Sequence, residues 1–328
     1  MTAHNTQLME DPKALAQAAR VEAAASNLRI DAATAEVLRA FEAASIRAIL
    51  LKGPALAAWY VEDPMRSYLD CDLWTGPGDV EAAGEVLLRL GFTPVVDERG
   101  LPGWWQEHAS SWSRALDGVV VDLHRRLQGV GVDEKTAWQA LSGTTDVVTV
   151  AGYPARVLCV PARALYVTLH AAQHGKGWGK ATVHVERALL ILEESDWIQA
   201  MSLAERLGAG DAFAAGLRLV PQGVELAARL SLPDPKSVRV ALHATTPPPI
   251  ALGFDQLASA ATLREFLAIV VRKAVPPPGF IRHWWPPAAR NRGMLALAYL
   301  YRPLWLLRHA PRGARAWLVA RRKVGAGR

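Results

Sequence analysis

The spacing of apolar residues divides the chain into a part that mixes strands with helices and a later part that is helical. Residues 12–27 are rich in Ala at helical spacing. Asp31 predicts the start of a second helix, because its carboxylate can accept hydrogen bonds from free backbone N–H groups. The apolar run from Ile46 to Leu51 ends at Lys52-Gly53 and predicts a buried strand. The first elements are therefore expected to be helix, helix and strand.

Short apolar runs between turn residues predict further strands up to about Val160. Pro54 suits the first turn of a helix after the first strand, because its missing N–H group costs nothing there. Asp117-Gly118 is a strong two-residue hairpin signal. The predicted strands are Ile46–Leu51, Ser67–Trp74, Phe92–Val96, Ser111–Leu116, Val119–His124, Asp146–Val150 and Arg156–Val160. Their alternation with helical segments predicts a mixed sheet flanked by helices.

From Pro161 onward the apolar spacing becomes helical. This spacing continues to about Leu230. The Pro-rich stretch from Leu232 to Pro249 predicts a loop, because Pro cannot donate a backbone hydrogen bond within a helix. Asp255 to Val271 predicts one more helix, which leads into three consecutive prolines. The second half of the chain is thus expected to be mainly helical.

These patterns predict an α/β (α+β) fold in three parts. The parts are a sheet domain with N-terminal helices over residues 1–160, a helical domain over 161–275, and a basic, aromatic-rich tail over 276–328. Composition supports a folded protein, since 51% of the residues are apolar and 21% are charged. The polar N-terminus lacks the apolar stretch of a signal peptide, and Cys71 and Cys159 are too few for a disulfide framework. We expect a cytoplasmic protein.

The net charge of +6 conceals an asymmetry along the chain. No Asp or Glu follows Glu265, whereas 13 Lys and Arg lie from Phe266 onward, so the preceding part carries a net negative charge. Trp and Tyr alternate with Arg in this tail. The pattern predicts one of three partners, here in order of preference: the acidic body of the protein itself, an anionic membrane surface, or nucleic acid.

Three acidic residues are the main candidates for a metal site. Asp70 and Asp72 form a D-x-D on a predicted strand, so both carboxylates point to one face while Cys71 points to the other. Asp122 follows the apolar run that begins at Val119 on another predicted strand. Three converging carboxylates form the oxygen-rich site that Mg²⁺ prefers. Two cations held in this way can stabilise the attacking and leaving oxygens of an in-line displacement.

A cationic turn precedes these carboxylates. Lys52 and Gly53 lie between a predicted strand and a helix, where free N–H groups and the helix dipole attract phosphate. Gly53 permits close approach of the backbone, and Lys52 adds a point charge for a triphosphate. Arg66 either stabilises charge on the transferred group or pairs with an acid such as Asp63. Each residue alone is common, but their order predicts a site for a metal and a nucleotide.

The order LLKGPALAAWY, R-x-x-x-D-C-D-L, L-G-F and V-D-L-H resembles the bacterial nucleotidyltransferase-like family of the polymerase-beta superfamily. It is also similar to the toxin nucleotidyltransferases of abortive-infection systems. The resemblance is strong from Ile46 to Arg125 and weaker in the helical half. It implies a polymerase-beta-like mixed sheet followed by a helical domain. It also implies that Asp70 and Asp72 bind the metal and that Asp122 is a third ligand that activates the acceptor hydroxyl.

The implied reaction transfers a nucleoside monophosphate from a nucleoside triphosphate such as ATP to a hydroxyl group, with loss of pyrophosphate and with Mg²⁺ or Mn²⁺. Lys52, Gly53 and Arg66 are expected to contact the triphosphate. The acceptor is left open among protein, peptide, small molecule and RNA. The alternative is a non-catalytic nucleotide-binding module whose basic tail docks on a partner or a membrane. The three carboxylates argue against that alternative, because binding alone needs fewer acids.

Overall fold

The structure is a computed structural model that describes residues 12–60, 62–63, 66–96, 108–177, 179–245 and 247–326. The polar segment before Pro12 lies outside the described residues. The chain divides into two compact units. The first, called the sheet unit, comprises Met1–Val95, His108–Leu127 and Val132–Arg163, and the second, called the helical unit, comprises Val96–Glu107, Gln128–Gly131 and Ala164–Arg328.

The elements follow the chain in a mixed order and then become helical. The strands are β1 (Ala48–Leu50), β2 (Asp70–Thr75), β3 (Thr93–Pro94), β4 (Ala109–Ser113), β5 (Val120–His124), β6 (Thr145–Val150) and β7 (Tyr153–Leu158). The helices up to the last strand are α1 (Pro12–Ala43), a 3₁₀ helix (Gly53–Tyr60), α2 (Val80–Arg89) and α3 (Glu134–Ser142). The later helices are α4 (Val160–His174), α5 (Gly179–Ile191), α6 (Glu194–Arg206), α7 (Gly210–Leu217), α8 (Pro221–Arg229), α9 (Val238–Ala244), α10 (Ala251–Ala258), α11 (Leu263–Ala274), α12 (Pro278–Trp284), a second 3₁₀ helix (Pro286–Ala289) and α13 (Arg292–Ala326).

Within the described residues, seven strands form one mixed sheet in the order β3-β4-β5-β2-β1-β7-β6. β2 pairs with β5 and β1 pairs with β7 in parallel, whereas the other neighbouring pairs are antiparallel. The hairpin predicted at Asp117-Gly118 is confirmed between β4 and β5, but its loop is longer than the predicted two residues. The Arg114 N–H group donates to the carbonyl of Val119, so residues 115–118 form the loop, in which Gly118 has a positive φ of 71°. The predicted α/β class with a mixed sheet is also confirmed.

The core of the sheet unit lies on the face of the sheet that carries Cys71 and Leu73. These side chains are fully buried, and α1 contributes Val37 and Phe41 while α2 contributes Leu87 to the same cluster. Residues one position away along β2 therefore point to the opposite face, because side chains alternate along a strand. The packing of α1 and α2 thus decides which face of β2 is left for polar side chains.

The N-terminal helix is longer than the sequence predicts. Asp31 does not begin a second helix but lies inside α1, which is continuous from Pro12 to Ala43. Its carboxylate accepts a hydrogen bond from the Tyr68 hydroxyl instead of capping a helix. Ile30 and Val37 are both buried against the sheet, so one helix covers it without a break. Tertiary packing here overrides a local capping signal.

The C-terminal helices also differ from the predicted ones. The helix predicted from Asp255 to Val271 is two helices, α10 and α11, because the hydroxyl of Thr262 accepts a hydrogen bond from the Glu265 N–H group and caps a new start. The predicted loop before them contains α9, which Ser237 caps in the same way. No helix in the described part of the chain is long and apolar enough to cross a membrane.

Candidate active site

The register between β2 and β5 places three carboxylates on one face of the sheet. Asp72 lies directly opposite Asp122 in the parallel pairing, and Asp70 lies opposite Val120. Asp70 and Asp72 are two residues apart, so their side chains share the face that Cys71 does not occupy. The structure therefore brings the three predicted carboxylates to neighbouring positions, although Asp122 is about fifty residues from the D-x-D in sequence.

Asp72 is the buried centre of this group. Its side chain is 1% exposed, and its Oδ1 atom lies 2.9 Å from Lys52 Nζ and 2.8 Å from His124 Nε2. Burial raises the pKa of a carboxyl group, but the Lys52 ammonium and the hydrogen bond with His124 outweigh this effect and hold the pKa of Asp72 well below its usual range. Asp72 is therefore a fixed negative charge at neutral pH.

The other two carboxylates have different surroundings. Burial and, next, the charge of Asp72 raise the pKa of Asp70 to about 6. Asp122 Oδ1 accepts a hydrogen bond of 2.6 Å from the Ser111 hydroxyl, which is its cross-strand neighbour on β4. Among the described residues, no group of three or more His, Cys, Asp or Glu side chains is already arranged to hold a metal ion.

Two observations nevertheless show that this donor set suits a hard divalent cation. Asp72 Oδ2 is buried and has no hydrogen-bond partner within the described part of the chain, so one carboxylate oxygen is left for a further ligand. Burial is the main cause of the raised pKa of Asp70, and repulsion from Asp72 and Asp122 adds to it; a cation between the carboxylates would relieve that repulsion. All of these donors are carboxylate oxygens, the ligand type of Mg²⁺ and Mn²⁺.

The cationic turn lies beside the carboxylates. Gly53 has a φ of +61°, and a Cβ atom built on it would lie 3.3 Å from the Asp70 carbonyl oxygen. Glycine is therefore needed both for the backbone conformation and for the close approach to β2. The N–H group of Leu51 donates to the carbonyl of Asp72 and extends the β1–β2 ladder up to this turn.

Arg66 supports the turn from the other side. Its Nη2 atom donates a 3.0 Å hydrogen bond to the carbonyl of Gly53, and its guanidinium carbon lies 4.2 Å from the centre of the Tyr60 ring. Burial lowers the pKa of Arg66, and the surrounding acidic and tyrosine groups only partly offset this effect. All six predicted site residues thus lie in one connected region of the sheet unit.

Comparison with known proteins identifies the family. A family model described as "Uncharacterised nucleotidyltransferase" matches residues 2–223, which is more than half of the chain. The chain belongs to this nucleotidyltransferase family. It is accordingly a transferase by class, and the family resemblance expected from Ile46 to Arg125 is confirmed. No curated protein matches the chain.

Two solved structures are similar to parts of this nucleotidyltransferase. One is the antibiotic-resistance factor ANT(2'')-Ia, which is 13% identical with a TM-score of 0.36 over 53% of this chain and 90% of that chain. The other is an antigenic nucleotidyltransferase-like protein from Paracoccidioides brasiliensis, which is 16% identical with a TM-score of 0.38 over 62% of this chain and 93% of that chain.

Several contacts in the nucleotidyltransferase site were not predicted from the sequence. His124 follows Asp122 by two residues on β5, so the period of a strand places both side chains on one face of the sheet. Its contact with Asp72 depends on the register between β2 and β5. Ser111 belongs to no sequence motif that indicates a role in the site. Asn27, on α1, accepts from the Tyr68 N–H group and donates to the carbonyl of Arg66, a contact between residues about forty positions apart.

Proposed function

We propose that this protein transfers a nucleoside monophosphate from a nucleoside triphosphate to a hydroxyl group of an acceptor, with pyrophosphate as the leaving group and with dependence on Mg²⁺ or Mn²⁺. The observation that carries the proposal is the placement of Asp70, Asp72 and Asp122 on one face of two parallel strands beside Lys52. Membership in a nucleotidyltransferase family supports the same class of reaction.

Asp70, Asp72 and Asp122 are the proposed metal ligands. Asp72 is ready for this role because it is ionised and keeps one buried oxygen without a partner among the described residues. Asp122 would leave its hydrogen bond with Ser111 in order to join the set. When bound, the metal supplies positive charge to the triphosphate oxygens and lowers the pKa of the acceptor hydroxyl.

Asp122 is also the proposed general base. A base must accept a hydrogen bond from the hydroxyl that it deprotonates, at a distance of roughly 2.6–3.2 Å between heavy atoms. The Ser111 hydroxyl makes this kind of contact with Asp122 Oδ1 at 2.6 Å. The side chain is only partly buried, so an acceptor hydroxyl has access to it. In the proposed reaction, Asp122 takes the proton while the acceptor oxygen attacks the α-phosphorus and the bond to pyrophosphate breaks.

Lys52, Gly53 and Arg66 form the proposed triphosphate-binding set. Lys52 brings a positive charge to the carboxylates, since its ammonium contacts Asp72 directly. Gly53 begins the 3₁₀ helix. Pro54 has no N–H group and the Ala55 N–H donates to the carbonyl of Lys52, so the proposed backbone contact with a phosphate is the N–H group of Gly53. Arg66 holds the carbonyl of Gly53 and so fixes the turn. Most of the rate would come from positioning and neutralisation of charge rather than from covalent catalysis.

The test uses nucleoside triphosphates labelled at the α-phosphate, one base at a time, with Mg²⁺ and a cell lysate as the source of acceptors. We expect release of pyrophosphate and a labelled acceptor with the wild-type protein. The double variant Asp70→Asn, Asp72→Asn should show neither, while its circular dichroism spectrum stays that of the wild type. Asp234→Asn is the matched control, because Asp234 is 79% exposed and lies in the helical unit.

Two outcomes would contradict the proposal. A wild-type protein that binds a triphosphate but neither releases pyrophosphate nor labels any acceptor is a binding module rather than a transferase of this type. Activity that persists in the folded double variant would show that Asp70 and Asp72 are not the metal ligands. A loss of activity that also occurs in Asp234→Asn would point to an effect of charge in general.

A further inference from the structure

The helical unit contains a partly open cavity near its C-terminal end. Its volume is about 800 Å³, and it lies among α10, α11, α12 and α13. It lies outside residues 2–223, which the family model matches, so it is not part of the proposed transferase site. The lining residues that matter here are three cations and three aromatic rings: Arg272, Lys273, Arg302, Phe280, Trp284 and Trp305.

Arg302 is the unusual residue of this cavity. It is only 7% exposed, and its guanidinium carbon lies 4.4 Å from the centre of the Trp284 ring and 5.0 Å from that of Phe280. Its Nε atom donates to the carbonyl of Lys273 near the end of α11 at 3.3 Å. Within the described ranges of the chain, no carboxylate pairs with this guanidinium and its two terminal nitrogens have no hydrogen-bond partner.

The charges around Arg302 are also positive. Burial lowers the pKa of Lys273, and the neighbouring charges of Arg302 and Arg239 lower it further. The acid that lines the cavity, Glu265, accepts a hydrogen bond from the Ala261 N–H group at the start of α11. No acidic residue follows Glu265 in the sequence. Burying a cation without a counter-charge costs several kcal/mol, and the aromatic rings offset only part of this cost.

We propose that this cavity binds an anionic amphiphile, with a phosphate or carboxylate head group at Arg302 and Lys273 and an apolar chain or ring against Phe280, Trp284 and Trp305. A guanidinium suits both head groups, because its N–H groups form a planar fork that matches two oxygens. The volume is in the range of sites for small organic ligands. An inorganic anion alone would leave the aromatic side of the cavity without a contact.

The test measures binding of dodecyl phosphate below its micellar concentration by isothermal titration calorimetry, with inorganic phosphate and a neutral dodecyl glucoside as comparison ligands. We expect one site per chain for dodecyl phosphate and weaker binding of the other two. Lys273→Gln and Arg302→Gln should each weaken the binding of dodecyl phosphate by about tenfold. Arg308→Gln is the control, since it removes the same charge from an exposed position of α13 that does not line the cavity.

The outcomes separate the parts of this proposal. Lys273→Gln tests it even if Arg302→Gln fails to fold, because Lys273 is only half-buried. Equal binding by Lys273→Gln and Arg308→Gln would show that the cations do not recognise the head group. Equal affinity for the neutral glucoside would reject an anion site, and equal affinity for inorganic phosphate would reject the role of the apolar wall. Each result is independent of nucleotidyl transfer.

A second inference rests on the outer face of α11. The residues that line the cavity on this helix are mostly polar or charged, including Arg264, Glu265 and Lys273. The opposite stripe is apolar and exposed, and no residue of the helix is buried. Its members recur at helical spacing and are between 39% and 74% exposed: Leu263, Phe266, Leu267, Val270 and Val271. This arrangement is the reverse of a normal surface helix, whose apolar stripe faces the core.

We infer that this apolar stripe lies on an anionic bilayer surface. Exposed apolar side chains next to basic residues are the pattern of a helix that inserts its apolar face at the lipid boundary while cations contact the head groups. Charge complementarity favours a bilayer with anionic lipids, since the chain from Phe266 onward carries 13 basic residues and no acid. α13 carries a similar exposed stripe that includes Leu300, Leu304 and Leu307.

The test is sedimentation of the full-length protein with vesicles of equal parts phosphatidylcholine and phosphatidylglycerol. We expect binding that falls at high salt and that is much weaker for vesicles of phosphatidylcholine alone. The variant Phe266→Gln, Leu267→Gln should lose at least tenfold in binding. The control Leu116→Gln, Leu190→Gln removes two apolar residues elsewhere in the chain that are more exposed than Phe266 and Leu267, and it should bind like the wild type.

Failure to sediment with anionic vesicles would overturn this inference, and so would equal binding by the stripe variant and its control. Equal binding to neutral vesicles would contradict the argument from charge. Lys273→Gln separates the two inferences, because it weakens binding of dodecyl phosphate in the cavity while the outer stripe of α11 stays intact. Vesicle binding that Lys273→Gln abolishes would assign the membrane contact to the cavity instead.

Discussion

Asp72 and Asp122 are directly opposed across the parallel strands β2 and β5. The two residues differ in their surroundings, since Asp72 is 1% exposed and contacts Lys52 and His124, whereas Asp122 is partly exposed and accepts from Ser111. One carboxylate is therefore a fixed anionic anchor and the other is accessible to a hydroxyl group. This difference underlies the separate roles that we propose for them.

Replacement of Asp122 should remove catalysis with little effect on folding. We expect Asp122→Asn to lower the rate of nucleotidyl transfer by about 10²–10⁴-fold, because an amide is neither a base nor a strong metal ligand. Ser111→Ala should change the rate less than tenfold, since Ser111 only holds the carboxylate. Single-turnover kinetics measures both. A wild-type rate in Asp122→Asn would exclude Asp122 as the base.

Replacement of Lys52 should affect both stability and nucleotide binding. Lys52→Met removes the ammonium from the buried carboxylate of Asp72 and leaves its contact with His124, and we expect the free energy of unfolding to fall by about 2–4 kcal/mol. Chemical denaturation measures this change, and equilibrium dialysis measures the expected loss of triphosphate affinity. Arg47→Met is a comparison for the loss of one exposed cation. Unchanged stability of Lys52→Met would mean that the ion pair between Lys52 and Asp72 does not stabilise the fold.

Replacement of Gly53 should strain the turn beside the carboxylates. Gly53→Ala places a Cβ atom 3.3 Å from the Asp70 carbonyl at a φ of +61°, and we expect a loss of about 1–2 kcal/mol in stability. Gly118→Ala is the matched control, since Gly118 has a φ of +71° but nothing lies within 4 Å of its added Cβ. Both variants place an alanine at a positive φ. A greater loss of stability in Gly53→Ala than in Gly118→Ala therefore measures the cost of the contact with the Asp70 carbonyl. Equal losses would show that the approach to Asp70 is unimportant.

The hairpin turn between β4 and β5 should make stability depend on pH. Asp117 pairs with the buried Arg114, whose Nη2 lies 2.6 Å from Asp117 Oδ2, and this hydrogen bond lowers the pKa of Asp117. A lowered folded-state pKa means that the stabilisation is present above the unfolded-state pKa of about 3.9 and is lost as the pH falls through the folded value.

We therefore expect Asp117→Asn to be less stable than the wild type by about 1–3 kcal/mol at pH near 7. The difference should shrink as the pH falls below about 4, where the carboxylate takes up a proton first in the unfolded chain and, at lower pH, in the folded protein. Urea denaturation at a series of pH values measures it. Glu36 also pairs with Arg114 but is 45% exposed, so Glu36→Gln should cost less. A difference that is constant with pH would show that charge is not the cause.

Several features of the fold and site could be predicted because they depend on neighbouring residues. The D-x-D at Asp70 and Asp72 indicates two carboxylates on one face from the period of a strand alone. The position of the turn between β4 and β5 follows from the backbone preferences of Asp117 and Gly118, although the length of its loop does not. Lys52 precedes the D-x-D and Asp122 follows it, an order that is typical of nucleotidyltransferases. This order predicts the class of protein, and the family match confirms that class.

Other features required the tertiary structure because the contacts join distant segments. Asp31 is of a residue type that often begins a helix. Here it lies inside α1, because the helix packs on the sheet without a break and the Asp31 carboxylate accepts from the Tyr68 hydroxyl. The apolar spacing of α11 predicts a helix, but not that its apolar stripe is exposed while its charged face lines a cavity. No local rule predicts a cation such as Arg302 in a buried position.

By itself the sequence determined which residues carry charge, which alternate along strands and which can turn the backbone, because these properties belong to each residue and its neighbours. Only the tertiary structure decided that β2 pairs with β5 in a register that opposes Asp72 and Asp122, and that Lys52 and His124 both reach Asp72. The reason is that register is set by packing of a whole sheet face, which joins segments about fifty residues apart.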